Sequence, residues 1–206
     1  MTRLSTTALI IVGCAASLVS CGRVWKGSSD KKMQQQDSAL AYKWKTDCVS
    51  SSALDLSHAR RAIELSVLGN FEKDENFYST DKCEKSQITY KVLGTYAALA
   101  ENPVNKEVKN INFTINKTLL VAHTDDAVKN LNKLKMCGID TWKSGKEIDI
   151  TNKSCAGITV KRGDVVADVY QIKNKALYFG QKFLFLAGGD VSSRPDKVAA
   201  DVIYNR

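Results

Sequence analysis

The amino-acid sequence predicts a mainly β protein: one antiparallel barrel or sandwich carrying one short α-helix at about residues 124–137. From Leu40 onward, apolar and polar residues alternate in one short run after another. Polar or glycine-containing turns separate the runs, as expected for half-buried strands linked by hairpins. A single stretch departs from period two and takes helical spacing. No internal repeat and no second regime of composition is visible, so residues 40–206 read as one domain.

The first strand sets Tyr42, Trp44, Thr46 and Cys48 on one side, with Lys43, Lys45 and Asp47 on the other. Ile63, Leu65 and Val67 repeat the alternation and stop at Gly69-Asn70. Phe77-Tyr78 follows, then Ile88, Tyr90 and Val92 against Thr89 and Lys91. Ile111, Phe113 and Ile115 alternate with Asn110, Asn112 and Thr114. Val166, Asp168, Tyr170 and Ile172 lead into a turn at Lys173-Asn174-Lys175 and a return strand from Ala176 to Phe179. A last run from Phe183 to Leu186 ends at Gly188-Gly189. Such a succession of short strands suits an antiparallel barrel or sandwich. The helix is placed by Thr124 as its cap, by Ala127, Leu131 and Leu134 on one face, and by Gly138 where a stop belongs. Asp125 and Asp126 open it and lysines fill its later turns, the order the helix dipole favours.

Of 206 residues, 30 are Lys or Arg and 22 are Asp or Glu, a net charge of +8. The lysines stand singly along the alternating runs and are not clustered with aromatics. They read as solvated strand faces, and no nucleic-acid partner is expected.

The N-terminus reads as an export signal. Arg3 supplies a short positive region, and Ala8 to Val19 form an uncharged apolar run. That run is too short to span a bilayer and right for a signal peptide. It closes on Leu18-Val19-Ser20-Cys21, which resembles the bacterial lipobox. A small residue before the cut gives a peptidase access, and the thiol after it accepts the diacylglycerol. The resemblance implies that residues 1–20 are a lipoprotein signal peptide and that Cys21 is lipidated. Residues 21–39 are then a lipidated N-terminus and flexible polar linker. Gly22 stands where aspartate would signal retention at the inner membrane, which implies the outer membrane. The expected localisation is the cell envelope, with the membrane as partner through the lipid anchor.

Four cysteines follow Cys21: Cys48, Cys83, Cys137 and Cys155. None forms a C-x-x-C pair, and only His58 and His123 are at hand as further ligands, so disulfides in an oxidising periplasm are expected and no metal. Three connectivities are possible, and Cys48 with Cys83 plus Cys137 with Cys155 is the nearest-neighbour choice.

Once the strands are placed, a family likeness is visible. Trp44-Lys45-Thr46-Asp47-Cys48, Phe77 to Cys83 and Gly94-Thr95-Tyr96 resemble the W-x-x-x-C, Y-x-D-x-C and G-x-Y pattern of the domain named after the adenomatosis-polyposis-coli down-regulated protein. Tyr170 to Gly180 and Ser193-Arg194-Pro195 are similar to the hairpin and tail of bacterial lipoproteins related to it. The resemblance implies a lipocalin-like barrel with an apolar interior, favours pairing Cys48 with Cys83, and brings the binding of an acyl chain as an expectation. Lipocalins commonly stack an arginine from the C-terminal end on a tryptophan near the first strand. By that resemblance Arg194 is the candidate to close the barrel over Trp44, with Tyr42-Lys43-Trp44 in place of the usual Gly-x-Trp.

No catalytic constellation is legible, and no enzyme activity or cofactor is expected. Ser144 in Lys143-Ser144-Gly145 reads as a turn, His58 and His123 as surface or cap residues, and Asp125-Asp126 as helix-opening acids. The aromatics on predicted strands, Trp44, Tyr90, Tyr96, Phe113, Tyr170 and Phe179, are core residues individually and ligand-binding candidates as a set. The expected function is a membrane-anchored lipoprotein that binds a small hydrophobic or acyl ligand in its barrel. The alternative is a structural or interaction lipoprotein whose solid barrel contacts an envelope partner. An apolar pocket of roughly 300 Å³ or more separates the first from the second.

Overall fold

The computed structural model describes residues 37–186 and 193–206. The expected signal segment, Cys21 and the expected linker up to residue 36 lie outside the described residues, as does the Gly188-Gly189 end of the last apolar run.

Twelve strands and one α-helix follow one another in these residues. They are β1 (Lys43–Thr46), β2 (Val49–Ser50), β3 (His58–Leu65), β4 (Asn70–Tyr78), β5 (Ile88–Glu101) and β6 (Lys109–Ala122), then helix α1 (Asp125–Lys133). After it come β7 (Glu147–Asp149), β8 (Ser154–Cys155), β9 (Ile158–Thr159), β10 (Val165–Lys173), β11 (Ala176–Phe179) and β12 (Tyr204–Asn205). Pairing runs β1, β12, β11, β10, β6, β5, β4, β3, and Trp44 opposite Ile63 brings β3 back to β1. The result is a closed antiparallel barrel of eight strands, consistent with the lipocalin-like architecture expected. Closure removes the free strand edges that would otherwise invite another chain. Strand β2 continues along β3, and β7 adds to the outer length of β6.

The alternation seen in the sequence becomes the burial pattern. Along β1, Trp44 and Thr46 are buried while Lys43 and Lys45 are exposed, and β3 buries Ala59, Arg61, Ile63 and Leu65 in the same rhythm. Gly94 lies at a register shift between β5 and β6. A Cβ there would run into the Thr114 carbonyl and the Phe71 ring, so only glycine lets the strands come this close. The β10–β11 turn works for a different reason: Asn174 and Lys175 both take positive φ, at 53° and 65°, as a tight hairpin requires.

Four expectations are corrected. Helix α1 ends at Lys133, short of residue 137, because Lys135 takes left-handed backbone at φ 45° and Met136–Gly138 form a 3-10 turn. Leu134, expected on the buried face, is 63 % exposed. Val67 sits in the β3–β4 turn, with no place in the strand. Finally, Phe183 to Leu186 is no strand but a run of turns that folds back into the barrel. The Phe183 ring stacks on Phe113 at 4.6 Å and meets Phe71 edge-on at 5.3 Å. Phe185 meets Phe77 and Tyr90 at 5.4 and 4.9 Å. The segment acts as an internal plug.

Both cysteine pairs are disulfides. Cys48–Cys83 ties the β1–β2 bend to the loop after β4, and Cys137–Cys155 ties the turn after α1 to the β8–β9 hairpin.

Candidate functional site

The plug is held by polar groups. Asp168, fully buried on β10, accepts the backbone N–H groups of Val169 at 2.8 Å and Lys182 at 3.1 Å, with further bonds from Gly180 and Phe183. Burial still pushes its carboxyl up to about 6 against those donors. Beside the plug lies a buried ion cluster from β3 and β4. Glu75 accepts from Arg61 Nε at 2.7 Å and from Lys73 Nζ at 3.2 Å. The Lys73 ammonium rests 4.8 Å from the centre of the Phe183 ring. Burial pulls the Lys73 amine below its ordinary range. Burial alone would raise the Glu75 carboxyl, but Lys73 and Arg61 outweigh it and hold the group low.

With plug and cluster in place, little space remains at the centre. The void between Ile63, Phe113, Phe179, Phe183 and Tyr204 is about 10 Å³, no more than a single water needs and far too small for a ligand. The apolar space is at the barrel mouth instead. A cleft of about 510 Å³ opens between α1, the turn at Ala53–Asp55 and the start of β5. Leu54, Leu56, Ile88, Leu131, Leu134 and Met136 line it, with Phe185 of the plug as a further wall; Gln87, Asn130 and Lys133 add polar groups.

Helix α1 makes one wall of this cleft, and its seat is specified locally. Thr124 accepts the Ala127 N–H at 3.2 Å and donates its own hydroxyl to Gln87 Oε1 at 2.5 Å, fixing the helix start beside β5. Asn132 accepts the Trp142 N–H at 2.8 Å and donates to its carbonyl at 3.2 Å. Trp142, which is buried, gives its indole N–H to the Ile139 carbonyl.

The six aromatic candidates do not meet in the cleft. Trp44, Tyr90, Tyr96, Phe113, Tyr170 and Phe179 are all less than a tenth exposed and belong to the packed core. Tyr96 donates its hydroxyl to the Ser66 carbonyl and Tyr170 to Asp37. The residues that do form the cleft come from the 3-10 turn, the helix and the plug. Their only signal in the sequence is the face Ala127, Leu131, Leu134, read there as ordinary helix packing.

Arg194 also takes a different part. Among the described residues the guanidinium over Trp44 belongs to Arg206, 4.8 Å from that ring and 3.7 Å from Tyr42. The physical reason is β12, too short to be seen in the sequence, which pairs Asn205 with Lys45 and so carries Arg206 to the first strand. Arg194 donates instead to the carbonyls of Ile111 at 2.9 Å and Asp168 at 2.5 Å and to Asn112 Oδ1, pinning its segment across β6 and β10.

The remaining polar candidates have structural partners. Ser144 donates to the His123 carbonyl, His123 Nε2 lies 2.7 Å from the Thr89 hydroxyl, and His58 Nδ1 lies 2.9 Å from that of Ser57. Burial lowers the His123 imidazole.

Fold and site together define a closed eight-stranded barrel, plugged at its centre, with an apolar cleft at one mouth. No family model and no curated protein matches the chain.

Proposed function

We propose that this chain is a non-catalytic, membrane-anchored envelope lipoprotein that binds a small hydrophobic or acyl ligand at the mouth of a lipocalin-like barrel. The observation that carries the reading is the cleft of about 510 Å³ walled by leucines, Ile88, Met136 and Phe185. Its size and apolar lining are those of ligand pockets in general, about 300–1,000 Å³ with a few polar groups. The lipobox at Cys21 supports the anchored half of the proposal. The chain enters the domain at Asp37, held by Lys109 and Tyr170 near the far end of β5, whereas the cleft borders Ile88 at the near end.

The packed barrel centre favours a second reading, a solid structural lipoprotein that contacts an envelope partner. One experiment separates the two. The full chain is titrated with a fluorescent fatty alcohol, alongside a Leu54→Asp/Leu134→Asp variant that puts two carboxylates in the cleft walls. Saturable binding that the variant loses supports the ligand reading; absence of saturable binding to the unaltered chain rejects it. For the anchor, Cys21→Ser is expected to end lipid labelling and to release the protein from membranes, and a variant that still labels and pellets with them would overturn that half.

A further inference from the structure

We infer that the ligand is an anionic amphiphile: its chain lies in the apolar cleft, and its carboxylate or phosphate head is received by Arg61 in a second cleft on the other side of Phe185. The inference rests on the ligand-binding reading above and narrows it to a chemical class.

The second cleft holds about 490 Å³ and is more polar than the first. Ser51, Arg61, Glu75 and Gln181 are in its lining. Phe185 lines both clefts, and Ala53 of the second is chain neighbour to Leu54 of the first. A single-chain molecule lying over Phe185 thus has an apolar compartment at one end and a polar one at the other.

The polar compartment has cationic and donor capacity to spare. Arg61 is only 6 % exposed, and its hydrogen bond is made through Nε, to Glu75. Its two terminal nitrogens make no hydrogen bond among the described residues. Both Glu75 oxygens are already engaged, one by Arg61 and one by Lys73, so two buried cations share one carboxylate. Asp168 does not restore the balance, because its carboxylate is turned to the backbone N–H groups of Val169 and Lys182. A buried charge without a counterion is costly in a low-dielectric interior, and an arriving anion removes that cost. Gln181 adds a second donor: its Nε2 is buried with no hydrogen-bond partner among the described residues. The Ser51 hydroxyl accepts the Ala53 N–H at 3.2 Å and keeps its own proton to give. A planar guanidinium with free terminal N–H groups suits a head that has two or more acceptor oxygens, which is the chemistry shared by a carboxylate and a phosphate.

Calorimetric titration of the full chain tests this with three probes of equal chain length, each below its micellar concentration: dodecanoate, monododecyl phosphate and dodecanol. Both anions are expected to bind at least about tenfold tighter than the alcohol, the factor one charge-assisted hydrogen bond supplies. Whichever anion binds tighter distinguishes a fatty-acid head from a phosphate head. Arg61→Gln is expected to bring both anions down to the affinity of dodecanol and to leave dodecanol unchanged. Should that variant fail to fold, Gln181→Leu removes only the unpartnered donor and is expected to cut the anions' advantage about threefold. Dodecanol binding as tightly as the anions, or an anion preference unmoved by the substitutions, overturns the head-group assignment and leaves the cleft. Failure of all three probes to bind overturns the cleft reading as well.

Discussion

Glu75→Gln is the substitution with the largest effect that can be worked out from this barrel. Glu75 is 1 % exposed and stands 2.7 Å from Arg61 Nε and 3.2 Å from Lys73 Nζ, with both cations also buried. The amide matches the carboxylate in shape but removes its charge, and its NH2 turns a donor toward one of the two cations. Removing one partner from a buried ionic group costs about 3–5 kcal/mol, since the charge left behind has neither water nor counterion. For a domain of this length that is a fall in melting temperature of about 6–20 °C. Acid makes the loss worse. Burial already lowers the Lys73 amine, and without Glu75 it sheds its proton more readily. The variant is therefore least stable where pH keeps Lys73 charged and recovers as pH rises through its lowered value. A Lys73→Met/Glu75→Gln double variant is expected to regain part of the loss, because a single cation then remains. Urea unfolding of the full chain measures all three proteins. A Glu75→Gln variant within about 1 kcal/mol of the unaltered chain would refute the buried-cluster argument.

Four further outcomes follow from the packing. Arg194→Ala is expected to cost about 1.5–3 kcal/mol through its bonds to Ile111, Asp168 and Asn112. Arg206→Ala, which loses the cover over Tyr42 and Trp44 and a long, exposed bond to the Ala39 carbonyl at 3.4 Å, is expected to cost about 0.5–1 kcal/mol, and the reverse order in thermal unfolding would show the closure to be misassigned. Asp168 has a folded pKa raised to about 6 from 3.8, so the folded state holds its proton more tightly and stability falls as pH rises between those values. The loss is about 2–3 kcal/mol, and its disappearance in Asp168→Asn, measured by unfolding at pH 4 and pH 7, checks the sign. Cys137→Ser/Cys155→Ser opens a loop of 18 residues, worth about 3 kcal/mol in the chain-entropy treatment, and loosens the turn that carries Met136 into the cleft. Probe binding should weaken along with stability; unchanged affinity would separate the cleft from that crosslink.

Where the alternation of the sequence coincides with a simple inside and outside, it reads directly. Trp44 and Thr46 inward with Lys43 and Lys45 outward, the Asn174-Lys175 turn, the return strand from Ala176 to Phe179 and the Thr124 cap all appear as expected. Strand β4 escaped because its inward positions between Phe71 and Phe77 are Lys73 and Glu75, charges that period two assigns to solvent. They are tolerated inside only because Arg61, directly opposite Glu75 on the neighbouring strand β3, completes the cluster, a pairing that no local signal in the sequence announces. The plug escaped for the opposite reason. Phe183 to Leu186 is apolar enough to be a strand, and nothing local says that its aromatic rings will occupy the interior instead. That occupation is why Phe113 and Tyr90 pack against protein and why the apolar cleft lies at the mouth.

Photo-crosslinking tests the central claim most directly, that a hydrophobic ligand sits in the mouth cleft and not within the barrel. The full chain is irradiated with a diazirine-bearing fatty acid and the labelled peptides are mapped by mass spectrometry. The account predicts label on the segments that carry Leu54, Leu131 to Met136 and Phe185, suppressed by Leu54→Asp/Leu134→Asp. Label concentrated on the strands that carry Trp44, Tyr96 and Tyr170, or label that the cleft substitutions do not reduce, would contradict it.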